Sequence, residues 1–281
     1  MSEVLTVGIS TCPNDTFAFS GLLNRRVEVP GFELKFELLD VQTLNEAMAS
    51  QRFDFVKASF AAALRWVDDY LVLPVGAALG HGVGPVLLGQ GADKGKAPAL
   101  ERSKILVPGA GTTAAFLMRR LHPEAAEASS VVFSEIMPAL QRGEVDYGVC
   151  IHEGRFTYQE NGLRLVEDLG ESWRRHTNQK LPLGGIFGRR SLAVGTHAAV
   201  TDGIQRSIDH AREHHDEAET QMARYAQELD SPALWKHVEL YVNDDTRELS
   251  VDGRRALKVF AKEAEGDPVL DGRGSFEIFS N

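Results

Sequence analysis

Hydrophobic residues recur along this chain at two spacings, every second position and every third or fourth, and the switches between them delimit elements. Val4 to Ile9 reads as a strand, Ser10 to Thr16 as a turn, and Phe17 to Arg26 as a helix with Asn14 or Asp15 as its natural cap. After the Pro30-Gly31 turn, Phe32, Leu34, Phe36 and Leu38 alternate with Glu33, Lys35 and Glu37, which predicts a strand with one buried and one solvated face. Thr43 to Ser50 predicts a helix, Asp54 to Ala58 a short strand, and Phe60 to Val67 another helix. Leu71 to Leu79 and Val86 to Leu88 return to extended structure.

The polar run Gly89 to Pro98 (GQGADKGKAP) interrupts this rhythm and is composed like a loop, so a lobe boundary is expected there. A second series follows: strand Ile105 to Val107, a helix from about Thr112 to Leu121, strand Val131 to Phe133, helix Ile136 to Arg142 and strand Val145 to Ile151. Leu163 to Val166, a helical segment around Trp173 and the stretch LPLGGIFGRR lead to one long predicted helix, Asp202 to Leu229, and a mostly helical remainder. Strands alternating with helices predict an α/β architecture. Two such series and a helical tail predict two lobes joined by a hinge, with residues 1–95 and 193–281 forming the first and 96–192 the second. Ligands in such folds sit beyond the carboxyl ends of the strands, here in the cleft between lobes.

A length of 281 residues agrees with two lobes, since single cores stop growing near that size. With 43% hydrophobic and 25% charged residues, the chain leaves little material for long disordered arms. Its net charge of −10 repels phosphate backbones and anionic headgroups, so neither nucleic acid nor membrane is an expected partner. Cys12 and Cys150 are too few for a disulfide framework and have no zinc-site spacing. The first residues lack the pattern of a secretion signal, and the longest apolar stretch, Leu71 to Leu79, is less than half of the roughly 20 residues that span a bilayer. A cytoplasmic location is expected.

Three loops at predicted strand ends carry candidate chemistry: Lys57-Ala58-Ser59, Gly109 to Thr113 (GAGTT), and Ile151 to Arg155 (IHEGR). The glycines of GAGTT let backbone approach a ligand, and the helix behind them offers its amide groups and positive dipole end to a carboxylate or phosphate. The same loop also reads as an ordinary helix start capped by Thr112. His152 leaves a buried strand where the chain turns toward the cleft, and an imidazole there can take a proton near neutrality; a hydrogen-bonded structural histidine is the plainer alternative. Ser59 either holds a ligand or caps the helix that begins at Phe60, capping being the default. His210 to His214 matches the HxxEH zinc pattern, but the apolar stripe Ile204, Ile208, Ala211, Ala218 leaves His210 on the solvated flank with no third ligand in view.

Taken together, STCPNDTF (Ser10 to Phe17), Lys57-Ala58-Ser59 followed by Phe60, GAGTT, and IHEGRFTY (Ile151 to Tyr158) resemble the 1,4-dihydroxy-6-naphthoate synthase family over nearly the whole chain. The resemblance implies a two-lobed α/β fold like the type II periplasmic binding proteins, in an enzyme of menaquinone biosynthesis by the futalosine route. It implies a carbon–carbon lyase that converts cyclic dehypoxanthinylfutalosine, a small-molecule carboxylate, to 1,4-dihydroxy-6-naphthoate and a three-carbon dihydroxyacetone fragment. By the same resemblance His152 is the proton acceptor, and Lys57, Ala58, Ser59, Thr112 and Thr113 belong to substrate-contacting segments. No metal or redox cofactor is implied. A sibling chorismate dehydratase of the same pathway, a solute-binding protein and an interaction protein remain the alternatives.

Overall fold

The computed structural model describes residues 2–91, 99–151, 154–226, 231–271 and 274–280, and its strands form two sheets. The first holds β1 (Glu3–Ser10), β2 (Phe32–Leu39), β3 (Phe55–Ser59), β4 (Tyr70–Val72), β5 (Ala78–Gly80) and β11 (Leu181–Arg189). Its order is β2-β1-β3-β11-β4, with β5 also on β11. β1 lies between its parallel neighbours β2 and β3 and buries Leu5, Val7 and Ile9, while the alternation of β2 half-buries its apolar residues and exposes Glu33, Lys35 and Glu37, as an edge strand requires. β3 is buried along its whole length between β1 and antiparallel β11. Gly185 of β11 lies where an added Cβ would stand 2.6 Å from the Phe60 ring, so only glycine lets that ring pack against the strand.

The second sheet, ordered β10-β6-β9-β7-β8, holds β6 (Val86–Gln90), β7 (Ile105–Val107), β8 (Ser129–Ser130), β9 (Tyr147–Cys150) and β10 (Leu163–Asp168). Gly89 and Gln90 are therefore paired residues of β6, and the chain passes from the first sheet to the second between Gly80 and Val86, ahead of the run where a boundary was expected. Residues 92–98 of that run lie outside those described. The return falls between Asp168 and Leu181, because β11 joins the first sheet. The expected strand Val131 to Phe133 is instead the short edge strand β8 followed by a turn of 3-10 helix at Phe133–Glu135, with Val132 exposed. Leu71 to Leu79 splits into β4 and β5 around Pro74, which has no amide hydrogen for a ladder.

Helices α1 (Pro13–Ala18), α2 (Ser20–Leu23), α3 (Val41–Ala47) and α4 (Phe60–Ala63) belong to the first series, and α5 (Thr113–Leu121), α6 (Ile136–Gln141), α7 (Gly154–Thr157) and α8 (Leu169–Thr177) to the second. The single long helix expected over Asp202 to Leu229 is two, α9 (Val194–Glu213) and α10 (His215–Tyr225), broken at His214. One nonhelical residue hardly disturbs the phase of the stripe, so Ala211 and Ala218 are both buried and the period hides the break. Residues 227–230 of the expected helix lie outside those described. The tail continues through α11 (Ser231–Tyr241), α12 (Asp244–Arg247) and α13 (Val251–Glu263). Phe260 of α13 packs against Phe116 of α5 and Trp173 of α8, with ring centroids 5.0 and 5.7 Å away, and the last residues return to β4 through Val72 and Ile278. The C-terminal region thus touches both series rather than the first alone. No helix among the described residues is long and apolar enough to cross a membrane.

Candidate functional site

The loop between β1 and α1 builds the floor of a cleft between the sheets. Cys12 is the residue before α1 and Asp15 lies in its first turn, so neither Asn14 nor Asp15 caps it. Asp15 and Lys57 are both buried, and Lys57 Nζ lies 2.7 Å from Asp15 Oδ1. Ser10 Oγ donates to Asp15 Oδ2 at 2.6 Å, Asn14 Nδ2 donates to Asp15 Oδ1 at 2.8 Å, and Lys57 Nζ donates also to Gly76 O at 3.0 Å. A buried ion pair persists only when its remaining donors and acceptors are satisfied in this way. The ammonium has three protons, these two bonds use two of them, and Lys57 lines the cleft.

Ser59 and Thr113 meet from opposite sides. Ser59 closes β3 and Thr113 opens α5; their hydroxyl oxygens are 3.1 Å apart, and the Thr113 amide donates to Ser59 Oγ at 3.1 Å. The Thr113 hydroxyl faces the carbonyls of Pro182 and Leu183 at 3.3 Å, which leaves Ser59 as the donor between the two hydroxyls. Ser59 occupies the cap position of α4 but makes no capping bond, so the default reading of its hydroxyl is replaced by this contact across the cleft. Thr112 does cap α5: its Oγ1 accepts from the Ala115 amide at 3.2 Å and donates to Gly109 O at 2.8 Å. Gly109 has φ +96°, a left-handed turn that calls for glycine. Ala58, Ser59, Thr112, Thr113 and Ala114 all line the cleft.

A further wall comes from α11, which sequence reasoning did not reach. His237 and Tyr241, four apart and so on one helical face, both line the cleft with their rings 4.6 Å apart. His237 Nε2 lies 3.0 Å from Asn14 Oδ1; because the Asn14 amide nitrogen serves Asp15, its oxygen faces His237 and Nε2 carries the proton. Burial raises the Tyr241 phenol to about 12, so it stays protonated in the neutral range. Gly84 and Pro85 also line the cleft, and Arg155 holds this segment by donating to Gly84 O at 2.9 Å and to Asp168 Oδ2 at 2.6 Å. No local signal marks α11 as part of the site, because 223 positions separate His237 from Asn14.

The cleft holds a cavity of about 110 Å³ and opens to solvent at its mouth. Ile151 lines it, whereas His152 lies outside the described residues. The structure thus brings together Lys57, Ala58, Ser59, Thr112 and Thr113. His210 and His214 stack at 4.1 Å, and the described residues contain no group of three or more His, Cys, Asp or Glu side chains that could hold a metal.

A family model described as menaquinone biosynthesis matches residues 5–266. A 1,4-dihydroxy-6-naphthoate synthase of Thermus thermophilus is 41% identical over 263 residues, covering 94% of each chain. The protein of the same name from Streptomyces coelicolor is 34% identical over 279 residues, covering 97% of each. Among solved structures, a protein of Archaeoglobus fulgidus superposes with a TM-score of 0.88 at 30% identity, over 94% of this chain and 97% of that one. The alkanesulfonate-binding protein of Xanthomonas axonopodis, bound to MOPS, superposes with a TM-score of 0.74 at 15% identity over 96% of both chains. That distant likeness speaks for the fold alone, which is that of the periplasmic binding proteins. Similarity to proteins of one name along nearly the full length adds what the fold leaves open: the chain belongs to the menaquinone biosynthesis family.

Proposed function

We propose that this chain is a carbon–carbon lyase that converts cyclic dehypoxanthinylfutalosine to 1,4-dihydroxy-6-naphthoate and dihydroxyacetone, with His152 as general base. The observation that carries the reading is the cleft itself, where the segments singled out by the family resemblance, Lys57 to Ser59 and Thr112 with Thr113, converge from the two sheets. The substrate carboxylate sits at the amino end of α5, where the helix dipole favours negative charge and Ala114 lines the cleft. The remaining Lys57 proton serves a second substrate oxygen.

His152 follows Ile151, a cleft residue, and removes the proton that starts fragmentation. Walls from both sheets orient the substrate, and aromatisation of the new ring drives the cleavage forward. Proton removal and carbon–carbon cleavage are redox-neutral in the substrate as a whole. Replacement of His152 by Asn should leave the fold and much of substrate binding intact while lowering turnover by about 10² to 10⁴, the range for a lost general base. Single-turnover kinetics on purified protein checks this, and near-wild-type turnover would remove His152 from the role.

A further inference from the structure

Tyr241 differs from an ordinary core tyrosine in one respect. The buried Tyr70 donates its hydroxyl to Met48 O at 3.3 Å, the usual solution for a phenol withdrawn from water. Tyr241 is only 6% exposed, yet its hydroxyl makes no hydrogen bond among the described residues. Nor is its oxygen among the atoms sealed away from solvent without a partner, and the residue lines the cleft. A phenol that is buried, unbonded and open only to a ligand cavity is a donor without an acceptor, and leaving such a group unmatched costs about 1–3 kcal/mol.

The surroundings hold that donor in place. Its ring rests against His237 at 4.6 Å and 50°, and His237 is fixed through Asn14 to the Asp15–Lys57 pair. Arg155, Asp168 and Cys12 are the charged or ionisable groups that bear on the phenol; Arg155 and Asp168 are paired with each other. Because burial keeps the phenol protonated, it approaches the cleft as a neutral donor and not as a base.

We propose that Tyr241 donates a hydrogen bond to a ring oxygen of the substrate, one that becomes a hydroxyl of the product, and strengthens that bond as negative charge gathers on the oxygen during proton removal. The proposal rests on the lyase reading and deepens it by adding a catalytic residue from α11. It separates recognition into two ends. The carboxylate lies at α5, and the oxygenated ring lies toward α11, with the Asp15–Lys57 floor between them.

Tyr241→Phe removes the hydroxyl and keeps the ring, so thermal unfolding should match wild type. With cyclic dehypoxanthinylfutalosine as substrate, kcat should fall at least tenfold, toward the 10² to 10³ typical of losing one such donor, and KM should change less than about threefold. Calorimetry with two probes gives a second reading independent of turnover. Wild type should bind 1,4-dihydroxy-6-naphthoate more tightly than unsubstituted 2-naphthoate, and Tyr241→Phe should narrow that preference at least threefold. An unchanged kcat together with an unchanged preference, in a wild-type protein that turns over, overturns this inference and leaves the lyase reading standing. A wild-type protein that neither turns over nor prefers the dihydroxy ligand overturns both.

Discussion

Asp15 and Lys57 show how far single residues can be read before their partners are known. The sequence marks each as chemically capable, Asp15 as a turn residue and Lys57 as the end of a short strand, but their pairing depends on β1 and β3 lying side by side. Asp15→Ala leaves an ammonium buried without its counter-charge and should cost about 3–5 kcal/mol in urea unfolding, with much of the loss recovered when Lys57→Met is added. A single variant within about 1 kcal/mol of wild type would show that water already screens the pair. Two histidines predict opposite pH limbs. The hydrogen bond that His122 Nε2 donates to the Glu167 carboxylate at 2.7 Å holds His122 above its ordinary value of about 6.5, so that contribution is full below pH 6.5 and is lost as pH rises through the raised value. Burial among Phe55 and Phe279 lowers His197, so the unfolded chain takes up a proton that the fold refuses and stability falls as pH drops below about 6.5. Unfolding midpoints between about pH 5 and 8 should therefore lose their acid limb in His197→Phe and their alkaline limb in His122→Gln. Profiles parallel to wild type in both variants would contradict these assignments.

Elements were legible where one face decides everything. β2 follows its alternation from Phe32 to Leu39, and α5 begins where Thr112 caps it. Legibility fails where tertiary contact outvotes local pattern: α9 breaks at His214 without disturbing its stripe, and the edge strand β8 makes its last ladder bond from the Val131 amide to Val107 O, so Val132 and Phe133 leave the sheet. At α5 one residue carries two roles. Thr112→Val should cost about 1 kcal/mol as a lost cap. If the amino end of α5 also receives the substrate carboxylate, the same change should weaken 1,4-dihydroxy-6-naphthoate more than its carboxamide. Calorimetry on both ligands distinguishes the roles, and equal losses would confine Thr112 to capping.

At the scale of the whole molecule, the alternation of strands and helices announced two lobes and a cleft, and the loops at strand ends named much of its polar lining. Missing from the sequence were the crossing point ahead of β6 and the return of the C-terminal helices, which carry His237 and Tyr241 to the cleft and Phe260 to the aromatic cluster of α5 and α8. Those placements follow from packing between segments far apart in the chain, for which local periodicity has no signal. A fold shared with sulfonate-binding proteins fits binding alone as well as catalysis, so chemistry must decide. The direct measurement is to incubate the purified protein separately with cyclic dehypoxanthinylfutalosine and with chorismate and identify the products by mass spectrometry. A lyase of the proposed kind yields 1,4-dihydroxy-6-naphthoate and dihydroxyacetone in equal amounts from the first and no change in the second; dehydration of chorismate, or tight binding of the first without turnover, would contradict that activity.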